Sequence, residues 1–178
     1  MMRILVAGIL GGIAMYVWLS AAHISPLGQI GVHALPNGGA MIAQVSDAAA
    51  GKAGLYVFPD YMSKTPSAAR GPFAIVSFTP DAPTGLAPMN LVLEFLSELV
   101  EAIIAAWLLS QAALASYGAR VGFVTGIGVI GAILAEAPYW NWYSFPLDYS
   151  LTNAVMQIVG FFVAGLVMAW YLKPKTAA

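Results

Sequence analysis

Four long apolar stretches dominate the pattern of hydrophobic and polar positions along this chain. They predict helices over residues 4–22, 89–115, 120–138 and 151–172. Each stretch is long enough to supply the ~17–25 residues that a helix needs to cross a bilayer. The pattern therefore predicts an all-α membrane fold, in which four transmembrane helices form a bundle within one domain covering residues 1–178.

The first apolar stretch also has features of a cleavable signal peptide. Arg3 precedes it, and the small residues 20–22 could form a cleavage site. Gly8 and Gly12, however, provide a small-xxx-small pair suited to close helix packing, and Trp18 is placed as an interfacial anchor. We predict a retained helix, with cleavage as the alternative.

Residues 23–88 form the one long connection and are predicted to fold into a small cap. Apolar spacing predicts a helix over residues 38–50, with Asn37 available as its N-cap. Residues 55–58 and 73–78 are rich in β-branched and aromatic side chains, which is typical of strands. A helix beside a β-hairpin is the expected arrangement, and an irregular loop lying on the lipid headgroups is the alternative.

Basic residues in short segments predict the orientation, because such segments stay in the cytoplasm. Arg3, Arg120 and the tail pair Lys173 and Lys175 lie at alternating ends of the four predicted helices. Both termini are then cytoplasmic, and the cap over residues 23–88 is extracytoplasmic.

Composition supports the membrane assignment and excludes several classes of protein. The chain has 178 residues, of which 60% are hydrophobic and 8% are charged, with a mean hydropathy of +0.80. Soluble domains carry about 25% charged residues. The net charge of −1 argues against a nucleic-acid partner, and the absence of cysteine excludes disulfides, thiolate catalysis and Cys-ligated metal sites.

Three glutamates interrupt the second apolar stretch, at Glu94, Glu98 and Glu101. With about 100° of rotation per residue, they fall within about 60° of one another on a helix. Asn90 extends the same stripe. Placing an acidic side chain at the centre of a membrane helix costs about 2.5–3.5 kcal/mol on insertion scales. We therefore expect the stripe to face protein, water, a cation or a proton rather than lipid.

The predicted orientation places the stripe in the outer half of the bundle, descending towards the midplane. The other predicted helices bring most of their polar side chains to the same half. We predict a shared acidic pocket there, with two groups of residues. The candidate cation ligands are Glu94, Glu98, Glu101, Glu136 and His23, and the further pocket-lining residues are Asn90, Asn153 and Gln157.

Three functions are consistent with such a pocket. It could bind a cation for transport or sensing, either a divalent metal, which oxygen and imidazole ligands suit, or a proton. The chain could instead be an accessory or assembly subunit, whose stripe meets another membrane subunit or a second copy. It could also be an intramembrane enzyme using a glutamate as acid or base on a lipid or apolar substrate. No catalytic residue is assigned, and the cation-binding hypothesis leads.

Three short segments carry a family resemblance: Trp18–Gly28, Ala34–Asn37 and Gly54–Pro59. They resemble a group of small bacterial membrane proteins of unassigned function, over the first helix and half of the cap. The resemblance implies a bacterial inner-membrane location and supplies neither an activity nor a site residue.

Overall fold

The computed structural model describes residues 1–59, 72–82 and 87–173, which are mostly helical. They fall into two compact units, Met1–Val32 with Leu86–Ala178, and His33–Gly85. The helices and strands, in chain order, are α1 (Met2–Ile24), a 3₁₀ turn (Pro26–Gln29), α2 (Gly38–Ala48), β1 (Gly54–Phe58), β2 (Ala74–Phe78), α3 (Pro88–Gln111), α4 (Tyr117–Tyr143) and α5 (Leu147–Tyr171).

Three of the helices are long and apolar enough to cross a membrane: α1, α4 and α5. Their presence indicates a membrane protein. At 24 residues, α3 is also long enough, but it carries the three glutamates.

Glycines let α1 approach α3 closely along an antiparallel interface. A Cβ placed on Gly8 would lie 2.7 Å from the Cα of Ile103, and one placed on Gly12 would lie 3.1 Å from the Cα of Leu99. Further along, the rings of Tyr16 and Phe95 meet edge to face, with centroids 5.2 Å apart. The sequence prediction that Gly8 and Gly12 form a packing pair is thus confirmed.

On another side, α1 packs against α5, also in antiparallel fashion. The indole Nε1 of Trp18 donates a hydrogen bond of 2.9 Å to the carbonyl oxygen of Met156. Near the start of α1, a guanidinium nitrogen of Arg3 donates to the carbonyl oxygen of Tyr171, at 3.3 Å. The start of α1 and the end of α5 therefore lie at the same end of the bundle.

The pairing of α4 with α5 again depends on glycine. Gly128 faces Phe161, and Gly165 faces Val124. At its start, α4 is capped by Ser116, whose Oγ accepts a hydrogen bond of 3.1 Å from the amide of Ala119.

The end of α4 differs from the prediction, which placed it at residue 138. Pro138 lies inside the helix, which continues to Tyr143. A proline in this position removes one amide donor and crowds the preceding turn, yet the helix resumes beyond it. It is followed by Ser144, whose φ is 56°, and the amide of Phe145 donates to the carbonyl oxygen of Tyr139 at 3.2 Å. The helix thus terminates on a residue in the left-handed conformation, as many helices do.

Two more of the predicted helix ends shift by four residues each. α3 ends at Gln111, four residues before the predicted end at residue 115, because Ala112 takes an extended conformation. α5 begins at Leu147, directly after Pro146, instead of at residue 151. Only residues 144–146 therefore connect α4 to α5.

The second unit contains the predicted helix and two paired strands. β1 and β2 are antiparallel, and their register pairs Gly54 with Phe78 and Phe58 with Ala74. α2 begins after Asn37, as predicted, but the Asn37 side chain makes no capping hydrogen bond. The position of this unit as an extracytoplasmic cap stays a prediction.

Candidate functional site

Glu98 lies on the buried face of α3. The buried residues of this helix are Glu98, Ala102, Ala105, Ala106 and Leu109. Positions 98, 102, 105 and 109 recur at intervals of three and four residues, so they share one side of the helix. Glu98 continues this mainly alanine-lined face and is only 3% exposed.

The depth of Glu98 follows from its neighbour in the chain. Leu99 packs against Gly12, which lies near the middle of α1. Residue 98 is likewise close to the middle of α3. The side chain is therefore far from both ends of the helix pair.

Neither carboxyl oxygen of Glu98 has a hydrogen-bond partner among the described residues. An ionised carboxylate taken out of water without donors or a countercharge is far less stable than the neutral acid. A carboxyl group in this environment therefore favours taking up a proton or a cation.

The other two glutamates of the stripe are exposed. Glu94 and Glu101 lie four residues before and three residues after Glu98, so their side chains are its neighbours on the helix surface. Within one stripe, α3 thus presents an exposed, a buried and another exposed carboxyl group in turn. The three glutamates were predicted to lie on one face of the helix. In the structure this face lies at the boundary between the buried and the exposed sides of α3.

The remaining predicted ligands lie on other helices. Glu136 is half-buried on α4 and stands two turns before the end of that helix. His23 is exposed, and its Nδ1 lies 2.9 Å from the carbonyl oxygen of Leu19 in the same helix. Because α3 packs mainly on α1 and α4 mainly on α5, Glu136 belongs to a different helix pair from the stripe.

The predicted pocket-lining amides and Asn90 also have separate surroundings. Asn153 Nδ2 donates to the carbonyl oxygen of Tyr149 in its own helix, at 3.0 Å. Gln157 faces Gly131, where a Cβ would lie 3.6 Å from the Gln157 Nε2. Asn90 is exposed.

Across residues 1–59, 72–82 and 87–173, no group of three or more His, Cys, Asp or Glu side chains is placed to hold a metal ion. Among the described residues, the five predicted cation ligands therefore form no such group. The residue with distinctive surroundings is Glu98, which the sequence ranked no higher than Glu101. The small residues at 102, 105 and 106 were the available signal, because they mark the face of α3 that packs against other helices.

No protein-family model matches this chain, and no curated protein or solved structure gives a significant match.

Proposed function

We propose that this chain is a four-helix protein of the bacterial inner membrane in which Glu98 reversibly binds a cation, and that the cation is a proton. We include α3 as a fourth membrane-spanning helix, beside the three apolar ones, because it packs antiparallel along α1. Their contacts run from Gly8 and Ile103 to Tyr16 and Phe95. A helix packed in this way beside a membrane-spanning helix crosses the same hydrocarbon layer.

The proposed orientation rests on basic residues. Arg3 lies at the start of α1, Arg120 in the first turn of α4, and Lys173 just after α5. Lys175, the other predicted inner residue, lies outside the described part of the chain. By the positive-inside rule, the end that carries these cations faces the cytoplasm. The unit His33–Gly85 is then extracytoplasmic.

The observation that carries the proposal is the buried Glu98 carboxyl group without a hydrogen-bond partner. A proton neutralises this group without any further ligand, whereas a divalent metal needs several. Glu94 is exposed and lies four residues nearer the start of α3, so a proton can reach Glu98 and leave it through Glu94. Chains of carboxyl groups inside membranes commonly carry protons.

Infrared difference spectroscopy of the full chain in lipid vesicles tests the proposal. The wild-type protein is expected to show a carbonyl band from a protonated carboxyl group, which shifts in D₂O because the proton exchanges. Glu98→Gln is expected to remove that band, since an amide replaces the acid. Glu94→Gln is the matched control and is expected to retain it, because Glu94 is exposed.

A wild-type spectrum from which Glu98→Gln removes no such band would contradict the proposal. A band that does not respond to D₂O would contradict the reversibility. Elemental analysis of the same preparations covers the metal hypothesis. A divalent metal that accompanies the wild-type protein and is lost in Glu98→Gln would show that the cation bound by Glu98 is that metal and not a proton.

A second candidate function is that of an accessory or assembly subunit. Two observations favour it. Glu101 is exposed in the middle of α3, where lipid is a poor environment for a carboxyl group. On α4, a Cβ at Gly118, Gly122 or Gly126 would meet no atom within 4 Å. These three glycines recur every four residues, the spacing at which helices of two chains can approach closely.

Native purification in mild detergent tests this second function. A second copy or another subunit is expected to accompany the wild-type chain and to be lost in Gly122→Leu, because the leucine fills the space above the glycine. Leu134→Ile, at an exposed position about 120° round the same helix from Gly122, is the control and keeps the partner. A wild-type chain that is purified only as a lone monomer rules against the subunit function.

A further inference from the structure

The end of the bundle where α1 begins and α5 ends contains a basic cavity. It has a volume of about 680 Å³, within the ~300–1,000 Å³ typical of ligand sites. Its three charged side chains come from different parts of the fold, Arg3 from α1, Arg120 from α4, and Lys173 from the segment after α5. No Asp or Glu is among the described residues that line it.

Arg120 is the buried member of this set, with 5% of its surface exposed. One terminal nitrogen of its guanidinium donates a hydrogen bond of 2.7 Å to the carbonyl oxygen of Leu172, but its Nε is buried and has no partner among the described residues. A guanidinium has five N–H donors, so a single carbonyl leaves most of its hydrogen-bonding capacity unused.

The negative end of the α5 helix dipole balances only part of the positive charge of these side chains. Arg3 and Arg120 each donate to a carbonyl oxygen at the end of α5, where the helix dipole carries about half a negative charge. Three full positive charges remain largely uncompensated. The cavity is therefore complementary to an anion, and forked guanidinium groups are well suited to phosphate oxygens.

An apolar groove adjoins the basic cavity. Its volume is about 510 Å³, and its walls are formed by side chains of α1 and α3. Met1 and Ile4 line both the groove and the cavity, so the two are directly adjacent. The remaining lining residues of the groove are Met2, Leu5, Ile103, Ile104 and Trp107.

We infer that this end of the bundle binds one acidic phospholipid. Its phosphate contacts Arg3, Arg120 and Lys173, and an acyl chain lies in the apolar groove. Basic pockets between membrane helices on the cytoplasmic side are suited to anionic headgroups. Free inorganic phosphate shares the headgroup chemistry, but it would leave the groove unfilled. The inference depends on the membrane location and is independent of Glu98.

Native mass spectrometry of the full chain in mild detergent tests the inference with three probes: phosphatidylglycerol, phosphatidylcholine with the same acyl chains, and inorganic phosphate. Phosphatidylglycerol is expected to bind about tenfold or more tightly than phosphatidylcholine. The double variant Arg3→Gln/Lys173→Gln is expected to lose about tenfold in affinity for phosphatidylglycerol. Both positions are exposed, so the fold is retained. Lys52→Gln removes one positive charge from the other unit and is expected to change nothing.

Trp107→Ala distinguishes the lipid from the free anion. It removes the indole that lines the groove and so reduces the apolar contact with an acyl chain. Phosphatidylglycerol binding is therefore expected to weaken severalfold, while phosphate binding is unaffected. Equal affinities for the two lipids, or unchanged binding in the double variant, would overturn the inference. If phosphate binds as tightly as phosphatidylglycerol and Trp107→Ala leaves lipid binding unchanged, the cavity is a site for a free anion. That result would also overturn the inference.

Discussion

Gly128→Ala is expected to lower the melting temperature of the protein by about 2–12 °C. A Cβ at this position would lie 2.5 Å from the Cβ of Phe161 on α5. The Cβ of Phe161 is fixed to its backbone and cannot rotate away, so α4 and α5 must separate to admit the methyl group. Overpacking of this kind costs about 1–3 kcal/mol.

Gly126→Ala is the matched control for Gly128→Ala. It makes the same substitution on the same helix, but a Cβ there would meet no atom within 4 Å. Because alanine is the better helix former by about 1 kcal/mol, Gly126→Ala is expected to leave the melting temperature unchanged or to raise it slightly. Thermal unfolding of both variants in one detergent measures the contrast. Equal melting temperatures would mean that α4 and α5 do not pack through Gly128.

Glu98→Leu is expected to raise the melting temperature. It removes a buried polar group without a hydrogen-bond partner, and such groups cost about 1–3 kcal/mol of stability. Leucine is one atom shorter and branches at Cγ instead of Cδ, but it is an apolar side chain of comparable size, so little packing is lost. The stabilised variant should also lack the carbonyl band of the protonated acid, because its side chain no longer binds a proton.

Two further variants make the Glu98→Leu result specific. Glu98→Gln has nearly the shape and polarity of the protonated acid, so it is expected to melt close to the wild type. Glu94→Leu lies at an exposed position and is expected to stay within about 0.5 kcal/mol of the wild type. A lower melting temperature for Glu98→Leu would indicate that the Glu98 carboxyl group stabilises the bundle through an interaction.

The secondary structure was largely predictable because its signals are local. Long apolar stretches located four helices, and β-branched and aromatic residues located two strands. The prediction at Pro138 was wrong because proline was treated as a helix end, whereas α4 tolerates it and continues to Tyr143. Whether a helix resumes after proline depends on packing around it, which a local pattern does not contain.

The candidate site was predictable only in part. Helical spacing correctly grouped Glu94, Glu98 and Glu101 on one stripe. It could not determine which of the three is buried, since that depends on how α3 is rotated against α1. The basic cavity was missed although its residues were recognised. Arg3, Arg120 and Lys173 were used only as markers of orientation, and their convergence depends on the pairing of α1 with α5.

The central position of α1, between α3 and α5, has a consequence for biogenesis. This helix leaves the ribosome first, but both of its packing partners are synthesised after residue 87. At about 5–20 residues per second, α5 is completed roughly seven to thirty seconds after α1. Gly8 and Gly12 can pack on α3 within this interval, whereas Gly11, which faces Met168 of α5, meets lipid or the insertion machinery until α5 is complete. Completion of α5 is therefore the step that gives α1 its last packing partner.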